Sequence, residues 1–228
     1  MNGIKENEVN EFLREIQPRC KGTLGKIQQE CIDEQVPMIP PETAKLLGVI
    51  LQIKKPKRIL EIGTAVGFSA CFMSQYLPKD GEITTIERFD VMSKQAKINI
   101  ARMGLEDKIT MLEGDAAEIL PKLDGPYDLV FIDAAKGQYN VFLKECIRLL
   151  PIGGIVLADN VLQGEFIVKS RYEIPRRQRT IHKRMRNFLW YISHSRVFDS
   201  SIIPIGDGLA VCYKKAETHG EEGEFLDD

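Results

Sequence analysis

Between residues 6 and 54, apolar side chains recur at helical spacing: Val9, Phe12, Leu13 and Ile16, then Leu24, Ile27 and Cys31, then Ala44, Leu46, Leu47, Ile50 and Leu51. The stretch VPMIPPET at 36–43 interrupts them; its prolines end one helix, and Pro41-Glu42-Thr43 starts the next. From Lys57 the pattern changes. RILEIG, GEITTIE, KITMLEG, YDLVFIDA and GGIVLADN read as strands, and between them GFSACFMSQYL, DVMSKQAKINIARMG, DAAEILPKL and YNVFLKECIRLL read as helices. Strands that are apolar throughout and alternate with helices need cover on both faces, which predicts an α/β fold built on an open, doubly wound, mostly parallel sheet. Two later runs, RVFDSSIIPI and DGLAVCYKK, meet at Gly206-Asp207-Gly208 and predict an antiparallel hairpin at the sheet edge. No repeat or linker divides the chain. The expectation is one domain over 1–215, with 1–54 as a helical extension packed on it.

Charged residues make up 28% of the chain and apolar residues 43%, which places it among ordinary globular proteins rather than disordered or membrane ones. No apolar run reaches membrane-spanning length and the N-terminus lacks a signal-peptide layout, so a cytoplasmic protein with no membrane or DNA partner is expected. The cysteines Cys20, Cys31, Cys71, Cys146 and Cys212 form no CxxC pair and read as small buried hydrophobes. His182, His194 and His219 give no zinc spacing. Residues 216–228 are acidic and nearly devoid of apolar side chains, as in a disordered tail.

Candidate chemistry starts at EIGTAVGFS, Glu61 to Ser69, which follows the first strand and opens a helix, where an open α/β sheet forms its ligand crevice. Position 65 is alanine, so the dinucleotide pattern Gly-x-Gly-x-x-Gly is broken. That disfavours an NAD-dependent oxidoreductase and favours a ligand with a sugar and no phosphate. Glu87, at the end of the second strand, can accept hydrogen bonds from ribose hydroxyls; a solvated glutamate beside a plain turn is the alternative. Strand four ends at Asp133 and strand five at Asp159-Asn160, and parallel strands emerge on one edge, so three oxygen-bearing side chains converge. Two carboxylates and a carboxamide suit Mg²⁺. Separately, Asp133 could cap a helix and Asp159-Asn160 could form a turn. Lys136, one short turn past Asp133, would stabilise an oxyanion there or take its proton, unless it is an exposed lysine at a helix start.

Glu61-x-Gly63-x-x-x-Gly67-x-Ser69, Glu87, Gly114-Asp115-Ala116, Asp133 and Asp159-Asn160 resemble the class I S-adenosylmethionine-dependent methyltransferases, in particular the metal-dependent catechol and caffeoyl-CoA O-methyltransferase group. The resemblance covers about Val36 to Tyr213 and implies a Rossmann-like methyltransferase fold with S-adenosylmethionine and Mg²⁺ as cofactors. It implies that Glu61 and Asp133 bind the cofactor, that Gly63, Gly67 and Ser69 lie near its methionine part and that Glu87 serves the ribose. Asp115 and Ala116 would lie at the adenine, with Met38 and Ile39 over the cofactor. Asp133, Asp159 and Asn160 would be metal ligands, and Asp133 and Lys136 catalytic. Related enzymes are often homodimers, which the resemblance extends to this chain.

One segment is left over. Lys169 to Arg186 holds eight Lys or Arg against the single acid Glu173, more than a small acceptor requires. Arg171, Arg176, Arg177, Arg179, Lys183 and Arg184 could bind a phosphate backbone, with Phe188, Trp190 and Tyr191 as stacking surfaces. The alternative is an amphipathic helix packed by Ile181, Met185, Phe188 and Leu189. The arrangement ADNVLQGEF, RRQRTIHKRMRNFL and IIPIGDGLAV is also similar to the bacterial tRNA 5-hydroxyuridine methyltransferases. That resemblance implies a tRNA anticodon loop as partner and the 5-hydroxyl of its wobble uridine as acceptor. A catechol-like small molecule is the alternative acceptor.

Overall fold

A computed structural model describes residues 6–162 and 166–217. The acidic tail beyond 217, His219, and positions 163–165 lie outside the described residues. Three helices lead the chain: α1 (Glu6–Ile16), α2 (Gly22–Asp33) and α3 (Pro41–Lys54). Pro40 stands at the N-cap of α3 and Pro41 in its first turn, where a missing N–H costs nothing. The alternating part runs β1 (Arg58–Ile62), α4 (Phe68–Ser74), β2 (Glu82–Glu87), α5 (Asp90–Arg102), β3 (Ile109–Glu113), α6 (Ala116–Ile119), β4 (Leu129–Ile132), α7 (Tyr139–Leu149) and β5 (Ile155–Ala158). Then come α8 (Arg179–His194), β6 (Phe198–Ile203) and β7 (Leu209–Lys214).

The strands form one seven-stranded sheet in the order β3-β2-β1-β4-β5-β7-β6. β1 to β5 are parallel, and β7 enters antiparallel between β5 and β6. This is the α/β Rossmann-like architecture expected, with its antiparallel C-terminal hairpin and N-terminal helices. Alternation along the central strands divides the core. Leu60, Ile62, Val130, Ile132, Val156 and Ala158 face α7 and α8, while Ile59, Leu129, Phe131 and Leu157 face the side covered by α2, α3 and α4. The predicted helix at 115–123 splits into a single turn of α6 and a 3₁₀ turn at Leu120–Lys122, because Pro121 cannot donate to a continuing α-helix.

α8 is amphipathic with its buried stripe at His182, Met185, Phe188, Tyr191 and Ile192. Of the expected face, Met185 and Phe188 are buried and Leu189 packs against the core, while Ile181 is exposed and His182 takes its place. At the opposite end of α7, the buried ammonium of Lys214 donates to the Ile147 and Leu150 carbonyls at 3.0 and 2.8 Å, placing a cation on the negative end of that helix. Cys31, Cys71, Cys146 and Cys212 are buried free thiols, as read from the sequence. Among the described residues no helix is long and apolar enough to cross a membrane.

Candidate active site

β1, β4 and β5 end level with one another, since Ile62, Ile132 and Ala158 are in register. The ladder continues one residue further: the Asp133 N–H donates to the Ile62 carbonyl and the Asp159 N–H to the Ile132 carbonyl, both at 2.9 Å. Three neighbouring strand tips thus present Gly63, Asp133 and Asp159. A cavity of about 300 Å³ opens beside them, where the strand order reverses between β1 and β4.

The glycine turn has a specific reason for its glycines. Gly63 has φ +100°, and a Cβ there would overlap the backbone carbonyl of Asp133. Ala65, also at positive φ, donates its N–H to Glu87 Oε2, and Phe89 donates its N–H to Glu87 Oε1, both at 2.8 Å. Glu87 is buried and lines the cavity, which removes the solvated alternative. Each of its oxygens keeps lone-pair capacity for a ligand hydroxyl. Asp115 and Ala116 line the same cavity. Asp115 also caps α6 by accepting the Ala117 N–H at 2.9 Å, and Arg88 approaches it to 3.8 Å.

Gly67 and Ser69 stand behind this cavity, at the start of α4. Glu61 is fully buried beneath the turn, and its cross-strand neighbour Thr85 donates a hydroxyl to it. Burial drives the Glu61 carboxyl up to about 8; the Ser69 and Thr85 hydroxyls oppose the rise, and Asp133 and Glu87 add to it. Met38 and Ile39 are placed differently from the expectation. Val36 and Pro37 line both the crevice and a separate cavity of about 710 Å³ against α1 and α2, whereas Met38 and Ile39 line only the latter. The proline-bounded loop turns between the two, and its spacing alone could not tell which residues face inward.

At the tips of β4 and β5, the Asn160 carboxamide donates to Asp133 Oδ1 at 3.2 Å, and Asp159 Oδ1 accepts the Asn160 N–H at 2.7 Å. The following helical turns begin at Ala135 and Gln138 without a side-chain cap, so Asp133 is not a helix cap. Burial pushes the Asp159 carboxyl up to about 7, with the Asp133 charge adding to it. Burial also raises Asp133, against the pull of Lys136 and the Asn160 hydrogen bond. Asp159 Oδ2 is buried with no hydrogen-bond partner. A buried carboxylate with an orphaned oxygen, crowded by the half-buried one of Asp133, fits a hard divalent cation, which takes oxygen ligands and cancels their charge. Among the described residues no trio of His, Cys, Asp or Glu forms a metal cluster; the donor set is two aspartates and an amide. Lys136 is half-buried at the head of a 3₁₀ turn, and its charge lowers both carboxyls. Sequence reasoning missed Tyr139, whose buried hydroxyl donates to the Asp159 carbonyl at 2.9 Å. Its place at the start of an amphipathic helix gave only a core signal.

The cationic segment is partly as expected. Arg171, Arg179, Lys183 and Arg184 line a surface cavity of about 580 Å³ together with Arg186, while Arg176 and Arg177 are exposed on the turn before α8. Arg184 reaches back to the Gly137 carbonyl at 3.0 Å, next to Lys136. Phe188 and Tyr191 are buried in the core and offer no stacking surface; Trp190 is exposed and stacks on His194 at 4.3 Å.

The O-methyltransferase family model matches residues 20–215. A catechol O-methyltransferase of Niastella koreensis is 36% identical over 129 residues, 55% of this chain and 58% of that protein, so the match spans little more than half of that relative. A caffeoyl-CoA O-methyltransferase of Populus kitakamiensis is 28% identical over 213 residues, covering 91% of this chain and 86% of the relative. A solved structure from Staphylococcus aureus, assigned to the caffeoyl-CoA O-methyltransferases, has a TM-score of 0.80 at 28% identity and covers 92% of this chain and 98% of its own.

Proposed function

The chain belongs to the O-methyltransferase family and is an S-adenosylmethionine-dependent enzyme of its catechol and caffeoyl-CoA type; from that premise we propose that it methylates one hydroxyl of a vicinal oxygen pair on a catechol-like small molecule. The meeting of Asp159 and Asn160 with Asp133, which lines the crevice, carries the reading. S-adenosylmethionine supplies an electrophilic sulfonium methyl. Mg²⁺, held by those three side chains, would lower the proton affinity of a nearby hydroxyl. Glu87 accepts the ribose hydroxyls, and Asp115 and Ala116 border the adenine. Gly63, which lines the crevice, lets the tips of β1 and β4 pack closely there, since a Cβ would overlap the Asp133 carbonyl. Lys136 stabilises the acceptor oxyanion or receives its proton, and the transfer then depends on in-line placement rather than on a covalent intermediate.

A second reading is the 5-hydroxyl of 5-hydroxyuridine in a tRNA anticodon loop, whose O4 completes a comparable oxygen pair. One observation favours it: the cations lining the cavity along α8, close to the Lys136 turn. A triple change of Arg176, Arg177 and Arg179 to Glu separates the two. If tRNA is the substrate, its methylation is expected to fall at least about tenfold, through lost phosphate contacts, while catechol turnover stays within about twofold. Equal turnover of tRNA by both proteins would remove the support for the RNA reading. If the wild-type protein transfers no methyl group to any oxygen pair, the reading above it fails as well.

A further inference from the structure

The peptide unit joining Asp159 to Asn160 is held at both of its polar atoms. Its carbonyl accepts the Tyr139 hydroxyl at 2.9 Å, and its N–H donates to Asp159 Oδ1 at 2.7 Å. Asn160 has φ +59°, a region that L-residues rarely occupy and that asparagine tolerates best after glycine. In that conformation its carboxamide reaches Asp133 Oδ1 at 3.2 Å. Rotating the peptide would redirect both proposed metal ligands of β5 at once. Asp159 supplies the N–H restraint itself; Tyr139 supplies the only carbonyl restraint from another element among the described hydrogen bonds.

Tyr139 is itself firmly seated. It is 1% exposed, and its ring meets Phe188 of α8 edge-on at 5.6 Å between centroids. Its oxygen also lies 3.5 Å from the Ile132 carbonyl, so one hydroxyl sits between the last residue of β4 and the tip of β5. Nearby, Arg184 Nη1 donates to Gly137 O at 3.0 Å and binds the same turn to α8.

We propose that Tyr139 is a positioning residue for the metal edge: its hydroxyl fixes the Asp159–Asn160 peptide so that the carboxylate, the carboxamide and Asp133 address one cation, and Phe188 of α8 holds the ring in place. The inference rests on the metal reading above. Hydrogen-bond partners behind metal ligands typically tune affinity by about 10- to 100-fold.

The test is calorimetry on the full chain with Tyr139→Phe, which deletes one oxygen and keeps the ring. Mg²⁺ is titrated with S-adenosylhomocysteine saturating, and S-adenosylhomocysteine is titrated separately without metal. The Mg²⁺ Kd is expected to rise about tenfold or more, with the S-adenosylhomocysteine Kd within about twofold of wild type. A Mg²⁺ Kd that does not move, or both Kd values rising together as from general loosening, would overturn the proposal. Should Tyr139→Phe fail to fold, Phe188→Leu is read by the same split and is expected to weaken Mg²⁺ selectively. Absence of Mg²⁺ binding by the wild-type protein would instead defeat the metal reading, and the inference with it.

Discussion

Asp159→Asn is expected to leave a folded protein that has lost methyl transfer by about a thousandfold, equivalent to about 4 kcal/mol of transition-state stabilisation. The two halves of this expectation have one cause. Asp159 is 1% exposed, one of its carboxylate oxygens has no hydrogen-bond donor, and Asp133 lies close enough to raise its proton affinity. Without a cation, that charge works against folding. Asparagine keeps the shape and the acceptor for the Asn160 N–H, but it removes the charge. The metal-free variant should therefore melt at or a few degrees above wild type, measured by calorimetry near neutral pH, while rates with any oxygen-pair acceptor collapse. A variant that melts well below wild type and also loses activity would mean that Asp159 serves the fold rather than a cation.

Among the described glycines, Gly63→Ala should be the most damaging change. Two independent penalties coincide. The backbone at Gly63 has φ +100°, where a Cβ is strained, and the added carbon would overlap the Asp133 carbonyl oxygen. That carbonyl belongs to a strand tip, not to a flexible side chain, so relief requires β1 and β4 to separate at the crevice. A loss of about 3 kcal/mol or more is expected, seen as a melting point lower by roughly 6 to 12 °C. Cofactor binding should fail along with it, because the movement displaces Asp133. Gly67→Ala provides the graded comparison: its added Cβ would meet Ala96 at 3.3 Å, so it combines the same backbone strain with a milder contact. Its expected loss is smaller.

The sheet was legible because its signal is carried by whole segments. Leu129 to Ile132 and Ile155 to Ala158 are uninterrupted apolar runs, Ile59 to Ile62 is broken only by the buried Glu61, and strands covered on both faces account for all three between amphipathic helices. The meeting of Asp133, Asp159 and Asn160 was legible for a topological reason: polar residues that end parallel strands meet on one edge whatever the details of the loops. What escaped depends on side-chain direction at irregular backbone. In the loop at 36–41, Val36 and Pro37 line the crevice and Met38 and Ile39 do not, which a run of four apolar residues and prolines does not encode. Phe188 and Tyr191 read equally as stacking platforms or as core, and burial in the structure decides for the core. Tyr139 was hidden for the opposite reason. An aromatic residue at the start of an amphipathic helix is an ordinary core signal, and only the 2.9 Å contact to the Asp159 carbonyl gives its hydroxyl a task.

The most direct measurement is anomalous diffraction from crystals grown with Mn²⁺ and S-adenosylhomocysteine. The expected result is one anomalous peak among the oxygens of Asp133, Asp159 and Asn160, with the homocysteine end of the ligand beside it and its ribose on Glu87. Ligand bound in the crevice with no peak between those three side chains, or with the side chains directed apart, would contradict it.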